Sequence, residues 1–198
     1  NAQAAWYSNN ILGNKADIFD IIWPKQEIKP EPPSNPSIHF KTINWWVMRS
    51  DFTSSDKVLV AGKAGMNTDP HHGHLDIGQF VVYWQNEYFI RDLGSGSYDE
   101  KYFDDVRWDY PQASSVGHNV IFVNGEKQIP GKMRKQPWNY EIGGKVEVFR
   151  TSGKDDYVIM NPTKAYPGKE LKNWRRHVIL EKPEITVVLD EIECNPGS

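Results

Sequence analysis

The sequence predicts an all-β protein, an antiparallel β-sandwich preceded by a short helical N-terminal arm. Three observations predict it. From Ile38 onward, nine short stretches rich in β-branched and aromatic residues recur, at 45–49, 57–61, 79–84, 87–91, 119–123, 145–150, 157–160, 175–181 and 184–190. Turn formers separate them, among them Asn124-Gly125, Gly143-Gly144 and Lys182-Pro183. Alternation is plain in Val146/Val148 and Val187/Leu189, and no helical period intervenes, a texture that suits two packed antiparallel sheets.

Residues 3–23 differ in character. Ala4-Ala5-Trp6-Tyr7, Ile11-Leu12, Ile18-Phe19 and Ile21-Ile22 read as short helical pieces, broken at Gly13 and stopped by Pro24. Residues 25–36, KQEIKPEPPSNP, read as a semi-extended linker. The expected organisation is therefore an arm or helical remnant at 1–24, a Pro-rich linker at 25–37 and a sandwich at 38–198. So abrupt an opening reads as a piece cut from a larger protein.

The 198 residues suffice for one domain with a real core. A net charge of −3 gives no reason to expect a nucleic-acid binder. No stretch is long and apolar enough for a membrane span, and no signal peptide is recognisable. The single cysteine, Cys194, rules out an internal disulfide and leaves the compartment undecided. Aromatic residues make up 13%, with eight Trp and nine Tyr, which suits sugar-facing surfaces as well as core packing.

The chemistry concentrates in residues 69–98, DPHHGHLDIGQFVVYWQNEYFIRDLGSGSY. Residues i and i+2 of an extended chain share a face, so His72 and His74 can point into one site. The run from Phe80 to Trp84, a turn at Gln85-Asn86 and the run from Tyr88 to Ile90 form a hairpin pattern that ends at Asp92. One strand out and one back would set Asp92 alongside His74. A further imidazole, His118, stands at the mouth of the predicted strand 119–123. Two histidines and an aspartate, His74, Asp92 and His118, suit zinc with one position left for water or substrate. Taken singly, a histidine at a strand end is usually only a hydrogen-bonded polar residue. Four of the six histidines lie between 71 and 118, however, which favours the metal. His39 and His177 have no partner that the sequence identifies.

The motifs HGHLDIGQFVVY, RDLGSGSY and GHNVIFVNGEKQ, in that order, resemble the C-terminal β-sandwich domain of heparinase II/III-like polysaccharide lyases, a group that includes alginate and oligoalginate lyases. The likeness spans roughly residues 45–192. It implies that His74, Asp92 and His118 hold a structural Zn2+ and that His72 faces the active-site cleft and assists catalysis. It also implies that the chain is a fragment of an (α/α) toroid plus β-sandwich protein, in which the upstream toroid supplies most of the machinery. The substrate would be an acidic polysaccharide containing uronic acid, of heparin, heparan sulfate or alginate type. It would be cleaved by β-elimination in the periplasm or outside the cell, and the isolated chain would be inactive or nearly so.

Other residues carry secondary expectations. Asp76 reads as a carboxylate that fixes a histidine tautomer more than as a ligand. Arg49 matches an arginine that often precedes the first long strand of the family, and equally suits a structural ion pair. Asn119 and Gln128 read as hydrogen-bonding the site's backbone, and Tyr98 closes the glycine-rich bend on the substrate side. The basic stretches 132–135 and 172–177 could attract an anionic sugar or simply form a solvated face. Two rival readings exist. A cupin wants its carboxylate a few residues after the histidine pair on the same strand, and Asp76 has the wrong offset. A non-catalytic carbohydrate-binding module would need neither His72 nor a zinc site.

Overall fold

The computed structural model describes residues 33–52, 57–67, 72–85, 87–133, 136–166 and 170–196, together with residues 29, 31 and 168. The predicted helical arm, residues 25–28, 30 and 32 of the predicted linker, His71 and Asn86 lie outside the described residues. Ser37–Ser198 forms one compact unit, and all the strands belong to it.

Among the described residues, ten strands form two antiparallel five-stranded sheets, the all-β sandwich that the sequence predicts. The first sheet has the order β1 (Ile38–Phe40), β2 (Trp45–Arg49), β3 (Val58–Lys63), β5 (Phe80–Trp84), β6 (Glu87–Ile90). The second has the order β10 (Ile185–Cys194), β9 (Leu171–Glu181), β8 (Asp155–Asn161), β7 (Gly143–Thr151), β4 (Gly65–Met66). Alternation decides which side chains meet between the sheets. Trp46 and Met48, Val58 and Val60, and Phe80 and Val82 face Val158, Met160, Val178 and Leu180. The Trp46 indole N–H crosses the core to the Met160 sulfur at 3.1 Å. Each such apolar side chain contributes about 1.5–3 kcal/mol on burial. A second cluster, Ile77, Ala165, Tyr166, Leu171 and Trp174, lies beneath the long loops.

Two strands escape the sequence reading and one expected strand is absent. β1 has only three residues, and β4 only two, too few to show a period. The chain passes from the first sheet into β4 at Gly65, whose φ of +98° only glycine adopts readily. A Cβ there would sit 2.7 Å from the Ile43 carbonyl oxygen. The apolar run 119–123 is not a strand but an extended segment, with a single bridge from Val123 to Glu126 around the expected Asn124-Gly125 turn. Side chains take part of its backbone: the Ile121 carbonyl accepts from the Tyr166 hydroxyl at 2.7 Å. The Asn119 amide donates to the Phe80 and Arg91 carbonyls at 3.0 and 3.1 Å, and the Asn119 carbonyl accepts from Arg176. The segment is thereby tied across the end of the β5–β6 hairpin instead of joining a ladder.

Candidate metal centre

Three loops converge at one end of the first sheet. Residues 72–79 lead into β5, residues 91–94 leave β6, and a single-turn 3-10 helix, Ser115–Gly117, delivers His118. Buried hydrogen bonds fasten them. The Ser115 hydroxyl donates to the Leu75 carbonyl at 2.8 Å. The buried Gln128 amide grips both backbone groups of Ile77, accepting from its N–H at 2.9 Å and donating to its carbonyl at 2.7 Å. Gln128 also accepts from the Asn67 amide at 3.2 Å. Asn119 and Gln128 thus act on backbone.

The imidazoles of His74 and His118 stack, with ring centroids 5.2 Å apart and planes 30° apart. His118 is buried, and its Nδ1 lies 2.6 Å from the Asp92 carboxylate. Asp92 also accepts from the Gly94 N–H at 2.6 Å. Burial alone would raise the Asp92 pKa, but the hydrogen bonds from His118 and Gly94 outweigh it and hold the carboxyl below its usual range. Burial lowers the His74 pKa, against the nearby Asp76 charge, which favours the neutral imidazole that a metal ion requires.

Potential ligand atoms of His74, Asp76 and His118 all lie within 4.8 Å of one another. Asp76 is buried and bonded to the Lys63 ammonium at 2.6 Å and to the Gln79 amide at 3.3 Å. It is also near enough to His74 for its charge to act on that ring. Asp92, expected alongside His74, contacts His118, which in turn stacks on His74. The donor set fits zinc, since two imidazoles and a carboxylate are its usual nitrogen and oxygen ligands. A second observation agrees. The buried Nε2 of His118 has no hydrogen-bond partner among the described residues, and such an orphan is what a bound cation satisfies. A carboxylate on the far nitrogen of a ligating histidine is also the usual support for such a ring.

His72 stands on the adjoining surface. Its ring meets Tyr98 and Phe103 edge-on, at centroid distances of 6.2 and 6.1 Å. A groove of about 340 Å³ runs from His72 and His74 along Lys63 and Gln79 to Trp45 and Phe40. Arg49 stands over the Phe52 ring, 5.3 Å from its centroid.

A family model described as heparinase II/III-like, C-terminal, matches residues 32–198. The chain belongs to this family. A search of curated protein sequences finds no match. Among solved structures, a crystal structure of heparinase III aligns with a TM-score of 0.64 and 18% identity, over 85% of this chain and 24% of that one. The heparan sulfate lyase HepC mutant from Pedobacter heparinus aligns with a TM-score of 0.64 and 16% identity, over 98% of this chain and 27% of that one. The heparinase II/III-like chain thus spans about a quarter of the length of each.

Two supports of this heparinase II/III-like site were not legible in sequence. Arg107 is buried between the rings of Tyr102 and Trp108, 4.9 and 4.7 Å from their centroids. Its Nη2 donates at 2.8 Å to the carbonyl of Gly73, the residue between the two histidines. The Tyr102 hydroxyl lies 3.5 Å from His74 Nε2. The signal available was an arginine inside an aromatic run, YFDDVRWDY, which also describes a solvated loop. His177, which had no partner in sequence, has Nδ1 2.6 Å from the Tyr157 hydroxyl and Nε2 3.5 Å from Glu191.

Proposed function

We propose that this chain is the zinc-holding β-sandwich domain of a polysaccharide lyase that cleaves a uronic-acid-containing polysaccharide by β-elimination. The observation that carries the reading is the convergence of His74, His118 and carboxylates beside an open groove that presents His72. Elimination requires the sugar carboxylate to be neutralised, its C5 proton to be taken by a base and the glycosidic oxygen to be protonated. His72 is the group of this chain placed to exchange a proton with a sugar in the groove. The Tyr98 and Phe103 rings set its orientation, and Lys63 and Gln79 line the same groove with hydrogen-bond donors. The toroid residues that would complete the reaction belong to an upstream helical domain, of which 1–24 would be a remnant and 25–37 the linker. A periplasmic or secreted location follows from the polymer class. Among the described residues no helix is long and apolar enough to cross a membrane.

The resemblance makes His74, Asp92 and His118 the zinc ligands. A second arrangement has a specific observation in its favour: Asp76 closes on the two histidines to within 4.8 Å, leaving Asp92 to orient His118. When bound, zinc supplies a fixed dication that ties the 72–76 loop to His118 and holds His72 in the groove. Elemental analysis of the purified chain, with melts before and after a strong chelator, tests the reading. About one zinc per chain, a lower Tm on chelation and loss of both in His74→Ala are expected. Asp76→Asn and Asp92→Asn then separate the arrangements, because the ligand's variant loses the metal and the supporting residue's variant binds it more weakly. No metal and no chelator effect would leave a non-catalytic sugar-binding sandwich. Sustained turnover by the isolated chain would refute the dependence on a helical domain.

A further inference from the structure

The second sheet carries a groove that shares no residue with the histidine site. It has a volume of about 580 Å³, within the rough 300–1,000 Å³ span of ligand sites, and lies over the start of β7 and the adjoining ends of β8 and β9. Its floor includes Gly143 and Gly144, bare backbone because neighbouring main chain passes too close for side chains. A Cβ on Gly143 would meet the Gly65 carbonyl oxygen at 2.2 Å, and one on Gly144 the Asn161 carbonyl oxygen at 2.7 Å. Lys145, Lys164 and Lys172 line the groove, with Glu141 as the single carboxylate among the lining residues. The groove therefore presents three ammonium groups, two of which have a carboxylate partner just outside the lining.

Next to the lysines stand exposed aromatic rings. Tyr140, 64% exposed, lines the groove and stacks on Trp138, 46% exposed, with centroids 5.9 Å apart and planes 13° apart. The Lys132 ammonium lies 5.4 Å from the Trp138 centroid and donates to the Gln136 carbonyl. Flat aromatic faces take the C–H faces of sugars, and lysines take their carboxylates and sulfates. Glu193 pairs with Lys172 at 2.5 Å in an exposed ion pair, weak enough for an incoming anion to replace, whereas the half-buried Glu147 is held at 2.8 Å by Arg175 and reaches Lys145 only at 3.4 Å.

We propose that the groove of Tyr140, Lys145, Lys164 and Lys172 is a second, non-catalytic binding site for an acidic polysaccharide chain, which holds the polymer on the domain away from His72. The ligand class rests on the lyase reading, whereas the groove itself stands on its own geometry.

The test is titration of size-defined heparin and alginate oligosaccharides, with an uncharged oligosaccharide as control, into the whole chain. Lys145→Gln/Lys164→Gln/Lys172→Gln and Tyr140→Ala are compared with His72→Ala/His74→Ala, with thermal melts confirming folding. All four groove positions are exposed, so the variants are expected to fold. The triple variant should lose at least about tenfold in affinity for the acidic sugars and show a flatter salt dependence, since fewer counterions are released. Tyr140→Ala should weaken that binding severalfold at every salt concentration, and the histidine variant, which disturbs only the His72 groove, should retain the binding component that the triple variant loses. Binding lost only in the histidine variant would overturn the groove and leave the lyase reading standing. Unchanged binding in both groove variants, no binding of either acidic sugar, or equal affinity for the uncharged sugar would each overturn the proposal. Metal content, measured on the same samples, reports separately on the lyase reading.

Discussion

Arg107 is the residue whose removal most directly tests how the histidine pair is held. Its guanidinium is buried, donates to the Gly73 carbonyl at 2.8 Å and lies between two aromatic faces. A hydrogen bond to a charged group contributes about 1.5–3 kcal/mol. Two cation–π contacts add roughly 1 kcal/mol each. Arg107→Met keeps much of the apolar stem and loses all three interactions, at a cost of about 3–4 kcal/mol after allowance for non-additivity. A domain of this size loses about 2–4 °C of Tm per kcal/mol, so the melt should move down by roughly 6–16 °C. Because Gly73 lies between His72 and His74, metal affinity should also fall, by about 10–100-fold as for other supports of a metal site. Arg107→Lys keeps the charge but not the planar fork, and should fall between the two. Differential scanning calorimetry and competition with a zinc-binding dye read both effects. A variant that melts within about 2 °C of the parent, or melts low yet binds zinc at parental affinity, would refute the positioning role.

Other positions should respond to the same physics. Gly117→Ala would place a Cβ 2.3 Å from the Pro111 carbonyl oxygen, so the turn that delivers His118 must shift, at a cost of about 1–3 kcal/mol measurable by urea unfolding. Gln128→Leu would strand both backbone groups of Ile77 in the interior and lower stability by about 2–4 kcal/mol, whereas Gln128→Glu should restore only the bond from the Ile77 N–H. Asp190 pairs with the buried Arg176 at 2.7 Å. Burial opposes its charge, but bonds from Arg176 and Trp174 win and depress its pKa. Its contribution is therefore present above the unfolded pKa of roughly 4 and disappears as pH falls through the lower folded value. Asp190→Asn should cost about 3 kcal/mol at pH 7 by leaving Arg176 without its carboxylate, and its stability should decline less steeply than the parent's below about pH 4.

Much of the sandwich was legible because strand chemistry is local. The alternation of Val146/Val148 and of Val187/Leu189 marked true strands, β7 and β10, although Val187 and Leu189 lie on an exposed face. The Asn124-Gly125 turn was equally readable, since both residues adopt positive φ, at 51° and 81°. Where no period exists, reading stopped. The run 119–123 has strand composition, yet its Asn119 and Ile121 carbonyls accept from the Arg176 and Tyr166 side chains and not from a neighbouring strand. The two residues of β4 depend on a glycine bend and a glycine pair that lie far apart in the chain.

By itself the sequence determined the fold class, most of the strands, the His-x-His pair and the family motifs, because periodicity and motif order are written along the chain. The tertiary structure alone decided who touches whom at the site: Asp92 on His118, Asp76 on Lys63, Arg107 on Gly73 and Tyr102 beside His74. Those contacts join segments separated along the chain, and a loop's place is set by the backbone groups it must satisfy when buried, not by any repeat in its residues.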